Sequence, residues 1–148
     1  MSERLDGRPF TIAIAQVDDA QFRYDTLGDW EYEERPDGVA VRISVPKFGG
    51  EANYAAWLIA IHELVELFLC VRQGVTQRAA DEFHAAHPDS DEYGDELDCP
   101  YYEQHQVADA VEKLLCRAIG VAWKEYFAMS SRRCDEIIAA RAGGARGR

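Results

Sequence analysis

The chain has 148 residues, with 27 Asp and Glu against 16 Lys and Arg, a formal charge of −11. Its 47% hydrophobic and 29% charged content is that of a folded protein and excludes the disordered and collagen-like classes. The length suits one domain with a core that needs no disulfide, and the negative charge argues against direct nucleic-acid binding.

The charge is unevenly placed. Residues 79–112 hold eleven Asp and Glu and no Lys or Arg, while the other sixteen acids match the sixteen bases. An acidic lobe of this kind favours cations or a basic host protein as partner. Cys70, Cys99, Cys116 and Cys134 form no CxxC pair, so a cysteine-rich zinc site is not expected. The opening MSERLDGRPF has no apolar signal core. Reduced thiols and a cytoplasmic location are the expectation. Oligomeric state is open.

Residues 10–17 alternate, with Phe10, Ile12 and Ile14 on one face, and read as a strand. Residues 30–34 alternate as well. Arg35-Pro36-Asp37-Gly38 then supplies turn chemistry, and Val39, Val41, Ile43 and Val45 follow at period two. This predicts a hairpin with one buried face, whose edge near 39–45 could align an extended peptide.

Residues 51–73 predict a long helix ended by Gly74. Between 54 and 71 its only charged or imidazole side chains are His62, Glu63 and Glu66. A helix apolar all round is a buried one, and its central ionisable groups make a membrane span costly. Thr76 caps a short helix over 77–86, and His87-Pro88 stops it. An acidic loop over 88–100 precedes a helix at 101–119, whose stripe of Val107, Val111, Leu114, Leu115 and Ala118 predicts the buried side. A last helix spans 122–140. Trp57, Trp123, Tyr126 and Phe127 fall at helical spacing and read as core. The order implies an α+β fold, with N-terminal antiparallel strands or a β-hairpin followed by about four helices. It forms a single domain over 1–142, and 143–148 form a flexible basic tail.

His62-Glu63-Leu64-Val65-Glu66 is an HExxE motif. Residues one and five share a helix face and can ligate one metal. Residue two, about 100° away, can take a proton from a water whose pKa the metal lowers. Further ligands are expected downstream. His105 and Asp109 repeat the i, i+4 spacing, although they lie roughly 120° or more from the centre of the apolar stripe, where a solvated face explains them almost as well. His84, three residues after Asp81, is a second candidate. The expected metal ligands are therefore His62, Glu66, Asp109 and either His105 or His84. Glu63 is the expected catalytic base of a small metal-dependent hydrolase. Zinc is the first choice of metal, and the carboxylate makes manganese or iron(II) more competitive.

Two other readings stand beside this one. In the first, the cluster is a structural metal or ion-pair site, and the acidic lobe binds a partner. In the second, Glu63, Glu66, Asp109 and Glu112 jointly hold Mg²⁺. That pattern resembles the ExxE…ExxD arrangement of all-α nucleoside-triphosphate pyrophosphohydrolases, although here Asp comes first in the second half.

The motif and its surroundings also resemble a group of small phage and prophage proteins. The likeness runs through His62-Glu63-Leu64-Val65-Glu66, Cys70 and Gly74, then Asp81-Glu82-Phe83-His84, Pro100-Tyr101 with Gln104-His105, and Ala118-Ile119-Gly120-Val121 with Trp123 and Tyr126. It covers residues 58–126. An Asp would be expected where this chain has His84. The resemblance implies a shared, zincin-like metal site and supplies no activity.

Overall fold

The structure, a computed structural model, describes residues 4–145. It is an α+β arrangement in which a three-stranded sheet precedes four helices. The strands are β1 (Phe10–Val17), β2 (Asp29–Arg35) and β3 (Gly38–Pro46). β2 and β3 form the expected antiparallel hairpin, with Tyr32 opposite Val41. β1 departs from the all-antiparallel expectation. It pairs in parallel with β3, Ile12 beside Val41 and Ile14 beside Ile43. The sheet order is therefore β1-β3-β2. β3 is central, so the expectation that 39–45 offers a free edge to a peptide fails: both of its edges are already paired.

Ile43 and Val45 are fully buried, and α1 (Tyr54–Gln73) lies over β3 and β2. β1 extends beyond this helical cover, which leaves Phe10 67% and Ile14 50% exposed. α1 ends where Gly74 takes a left-handed φ of 81°, letting the Val75 N–H donate to the Cys70 carbonyl (2.9 Å). It is long and apolar enough to cross a membrane, yet more than half of that stretch is buried within the fold. Its burial is not uniform. Ile59, Leu67 and Cys70 are in the core, whereas Trp57 (71% exposed) and Phe68 face outwards. Trp57 and Phe127, read from the sequence as core, are both exposed.

Thr76 caps α2 (Gln77–Ala86) by accepting from the Ala79 N–H (3.1 Å). α3 (Tyr102–Ala118) packs along α1. The side it buries is turned by roughly 100° from the expected one, so that Val111 and Leu115 are half-buried at its edge. Leu114 is 65% exposed, and Val107 is exposed too, while Gln104, His105, Ala108, Glu112 and Cys116 are buried.

α4 (Trp123–Ala145) runs past the expected end at 140, so residues 143–145 are helical rather than a tail; 146–148 lie outside the described residues. The extension has a physical reason. Arg133, Ile137 and Arg141 recur at i, i+4, on one helix face. Arg133 forms an ion pair with Asp19 (2.5 Å), Ile137 is fully buried, and Arg141 pairs with Asp25 and donates to the Arg23 carbonyl (2.8 Å). The last turns of α4 thereby clamp the loop before β2 in place.

Candidate metal centre

α1 and α3 lie side by side and bring their ionisable residues to one buried point. Nε2 of His62, Oε2 of Glu66 and Nδ1 of His105 form a compact triangle. Its sides are 3.5 Å (His62–Glu66), 2.9 Å (His105–Glu66) and 3.2 Å (His62–His105). A tetrahedral ion with bonds of about 2.0–2.2 Å sets its donor atoms roughly 3.3–3.6 Å apart. Small outward movements of three side chains would therefore fit the triangle around a cation. These buried His and Glu groups can hold a metal ion. The spacing alone does not single out zinc.

Each corner has an outer support. Nδ1 of His62 is 3.0 Å from Oε2 of Glu112, so it donates to that carboxylate and leaves Nε2 free to ligate. Tyr126 on α4 donates to the other Glu112 oxygen. Trp30 on β2 donates from Nε1 to Oε1 of Glu66 (2.7 Å), holding Oε2 towards the histidines. Nε2 of His105 lies 3.7 Å from Asp95 and 4.0 Å from Asp109. Asp109 also stands 3.5 Å from Nδ1 of His62, on the outer side of both rings. Two further groupings could each hold a cation, His62 with Asp109 and Glu112, and Asp95 with His105 and Asp109. Both use the ring nitrogens that face away from the central triangle.

The electrostatics follow from this wiring. Burial pushes the Glu66 carboxyl up, but hydrogen bonds from His105 and His62 overcome it and bring it down to about 2. Burial pulls the His62 imidazole down, and the bonds to Glu112 and Glu66 more than reverse this, leaving it well above its ordinary range. Glu63 behaves oppositely. Burial and the neighbouring Glu66 charge hold its carboxyl well above the usual carboxylate range, and it has no hydrogen-bond partner among the described residues.

Two glycines make room for these groups. A Cβ on Gly28 would lie 2.2 Å from Oε1 of Glu63, and one on Gly94 would lie 2.2 Å from the His105 ring. Both triangle and glycines line a cavity of about 580 Å³ that also receives Glu63, Asp109 and Glu112.

His84 stands outside all three metal-capable groupings. α2 places it among aromatics, stacked on Tyr93 (4.3 Å between centroids), edge-on to Tyr24 (4.5 Å), and with Nε2 2.5 Å from the Tyr101 hydroxyl. Burial pushes its pKa down to about 4. Of the two candidate ligands His84 and His105, only His105 joins His62 and Glu66. Sequence reasoning missed Trp30, Gly28, Gly94, Asp95 and Tyr126 as parts of the centre. The i, i+4 series Gln104, Ala108, Glu112, Cys116 on α3, small or polar throughout, was the available signal.

Comparison of the chain with protein-family models, with curated proteins and with solved structures gave no match.

Proposed function

We propose that the protein is a metal-dependent hydrolase in which His62, Glu66 and His105 hold a divalent cation and Glu63 is the general base. The observation that carries this reading is the triangle of donor atoms, 2.9–3.5 Å on a side, on the wall of a cavity. Two imidazoles and one carboxylate form a donor set used by catalytic zinc sites, which keep a fourth position open. A cation bound there would act as a Lewis acid and lower the pKa of a coordinated water towards neutrality.

The protein groups divide the remaining work. Glu112 and Trp30 orient the donors. Glu63, one residue after a ligand on the same helix, is held apart from other partners and accepts a proton from the attacking water. The resemblance to phage-type proteins belongs to this reading and rests on the motif residues alone.

The nucleotide reading draws support from Glu63, Glu66, Asp109 and Glu112 sharing one cavity. It lacks a phosphate ligand, because no Lys or Arg lines that cavity among the described residues. The partner-binding reading keeps only part of the acidic segment. Six of its eleven acids, Asp81, Asp91, Glu92, Asp95, Asp109 and Glu112, line the cavity, and the other five remain for a partner.

Glu63→Gln tests the assignment. The variant should bind as much metal as the wild type and lose hydrolysis of a peptide library by about 10²-fold or more. A wild-type preparation shown to carry metal that hydrolyses no peptide would leave the centre a structural one.

A further inference from the structure

The cavity has a charge pattern that bears on what enters it. Its lining includes ten carboxylates and no Lys or Arg. Several of the ten are already committed. Asp29 takes a two-point contact from Arg23 (2.6 and 2.9 Å), which also reaches Asp81 (3.4 Å). Glu66 and Glu112 belong to the metal centre, and Asp95 accepts from Gln106 (3.0 Å). Asp109 faces the two histidines.

Four remain without a hydrogen-bond or ion-pair partner among the described residues: Glu63, Asp91, Glu92 and Asp135. Glu63 is only 8% exposed and its carboxylate rests against Gly28 on the cavity wall. An unpaired carboxylate buried to this degree is costly, and a positive charge in the cavity relieves the cost; Asp91, Glu92 and Asp135 are exposed and draw a cation by charge alone. The metal triangle lies at the middle of α1 and the first turn of α3. Asp91 and Asp135 reach the same cavity from the acidic loop and from α4.

Leu27, Phe127 and Ile138 supply apolar surface between these charges. A side chain that pairs with such walls has an apolar stem and a cationic head. Lys and Arg have this build: their methylenes cover apolar surface and their heads reach carboxylates. An Arg head adds stacking on an aromatic face.

We infer that the substrate is a basic peptide, its Lys or Arg side chain seated against Asp91, Glu92 and Asp135 while its scissile bond faces the metal triangle. This rests on the metal-site reading above. An anionic substrate would meet uncompensated carboxylates in the same space and be repelled.

The test uses the full chain loaded with cobalt(II), whose visible absorption reports changes at the metal. L-Arginine hydroxamate and L-glutamic acid hydroxamate are titrated separately, since both carry the same chelating group and differ in side-chain charge. The arginine compound should bind about tenfold tighter or more, and the gap should narrow in moderate salt. The Asp91→Asn/Asp135→Asn double variant should keep the cobalt spectrum and lose most of the preference. Equal binding, or preference for the glutamate compound, overturns the inference while the metal site stands. Failure to take up cobalt at all removes the metal reading and this inference together.

Discussion

Nδ1 of His62 lies 3.0 Å from Oε2 of Glu112, a residue fifty positions later on a different helix. The contact does two things at once. It fixes α3 against α1 at the level of the centre, and it fixes the imidazole tautomer so that Nε2 faces Glu66 and His105. Outer carboxylates of this kind orient histidine ligands and raise their basicity.

The supports should therefore matter nearly as much as the ligands. Glu112→Gln keeps the side chain's size and weakens the outer hydrogen bonding, and Trp30→Phe removes the indole N–H together with part of a buried ring. Each should weaken metal binding about 10–100-fold without abolishing it. Competition against a chelator of known affinity gives the measurement, and wild-type affinity in both variants would show that the supports are incidental.

The two glycines separate binding from chemistry. Gly94→Ala places a methyl against the His105 ring, and Gly28→Ala places one against the Glu63 carboxylate. The first should lower metal content. The second should leave metal content unchanged and depress turnover, because the group it displaces is the base and not a ligand. Metal analysis and peptide hydrolysis on the same two preparations would check the split.

Stability should fall in acid partly through His84. Its pKa of about 4 lies below the ordinary value of 6.5, because burial disfavours the charged ring and the nearby Asp81 and Glu66 only partly offset this. The sign is that of a depressed base: the neutral form is favoured in the fold, so stability is full above about pH 6.5 and declines as pH falls towards 4. The ring is partly exposed, so the loss is on the order of 1–2 kcal/mol after screening. Urea midpoints between pH 7 and 4 should fall less steeply in His84→Gln than in the wild type.

β1 and β3 should respond very differently to substitution. Ile43 is fully buried under α1, and Ile43→Ala should cost about 2–5 kcal/mol. Ile14, its neighbour in the sheet, is half exposed, and Ile14→Thr should change stability by no more than about 0.5–1 kcal/mol. Denaturant unfolding of both variants would measure the contrast.

The hairpin, the helix ends at Gly74 and Thr76, and the pairing of His62 with Glu66 were all legible in the sequence, because each depends on local turn chemistry or on spacing within one helix. The inward face of α3 was not. Periodicity pointed to Val107 and Leu114, yet the helix buries Gln104, His105 and Glu112 instead. The apolar-stripe rule assumes an apolar interior, whereas the surface facing α3 is already polar, set by His62 and Glu66 on α1. For the same reason the choice between His84 and His105 could not be made from spacing. It depends on α2 turning His84 towards Tyr24, Tyr93 and Tyr101. The parallel pairing of β1 was likewise hidden, since alternation is the same in either direction.

The most direct test of the central claim is metal content per chain, by mass spectrometry, after reconstitution with zinc, manganese or iron(II). Wild type should be compared with His62→Ala, His105→Ala and His84→Ala. One bound ion in the wild type and in His84→Ala, lost in the other two, is the result the triangle predicts. No bound ion in any preparation would contradict it and make His62, Glu66 and His105 a buried ion-pair network, and equal loss in His84→Ala would contradict it by making the metal site depend on His84.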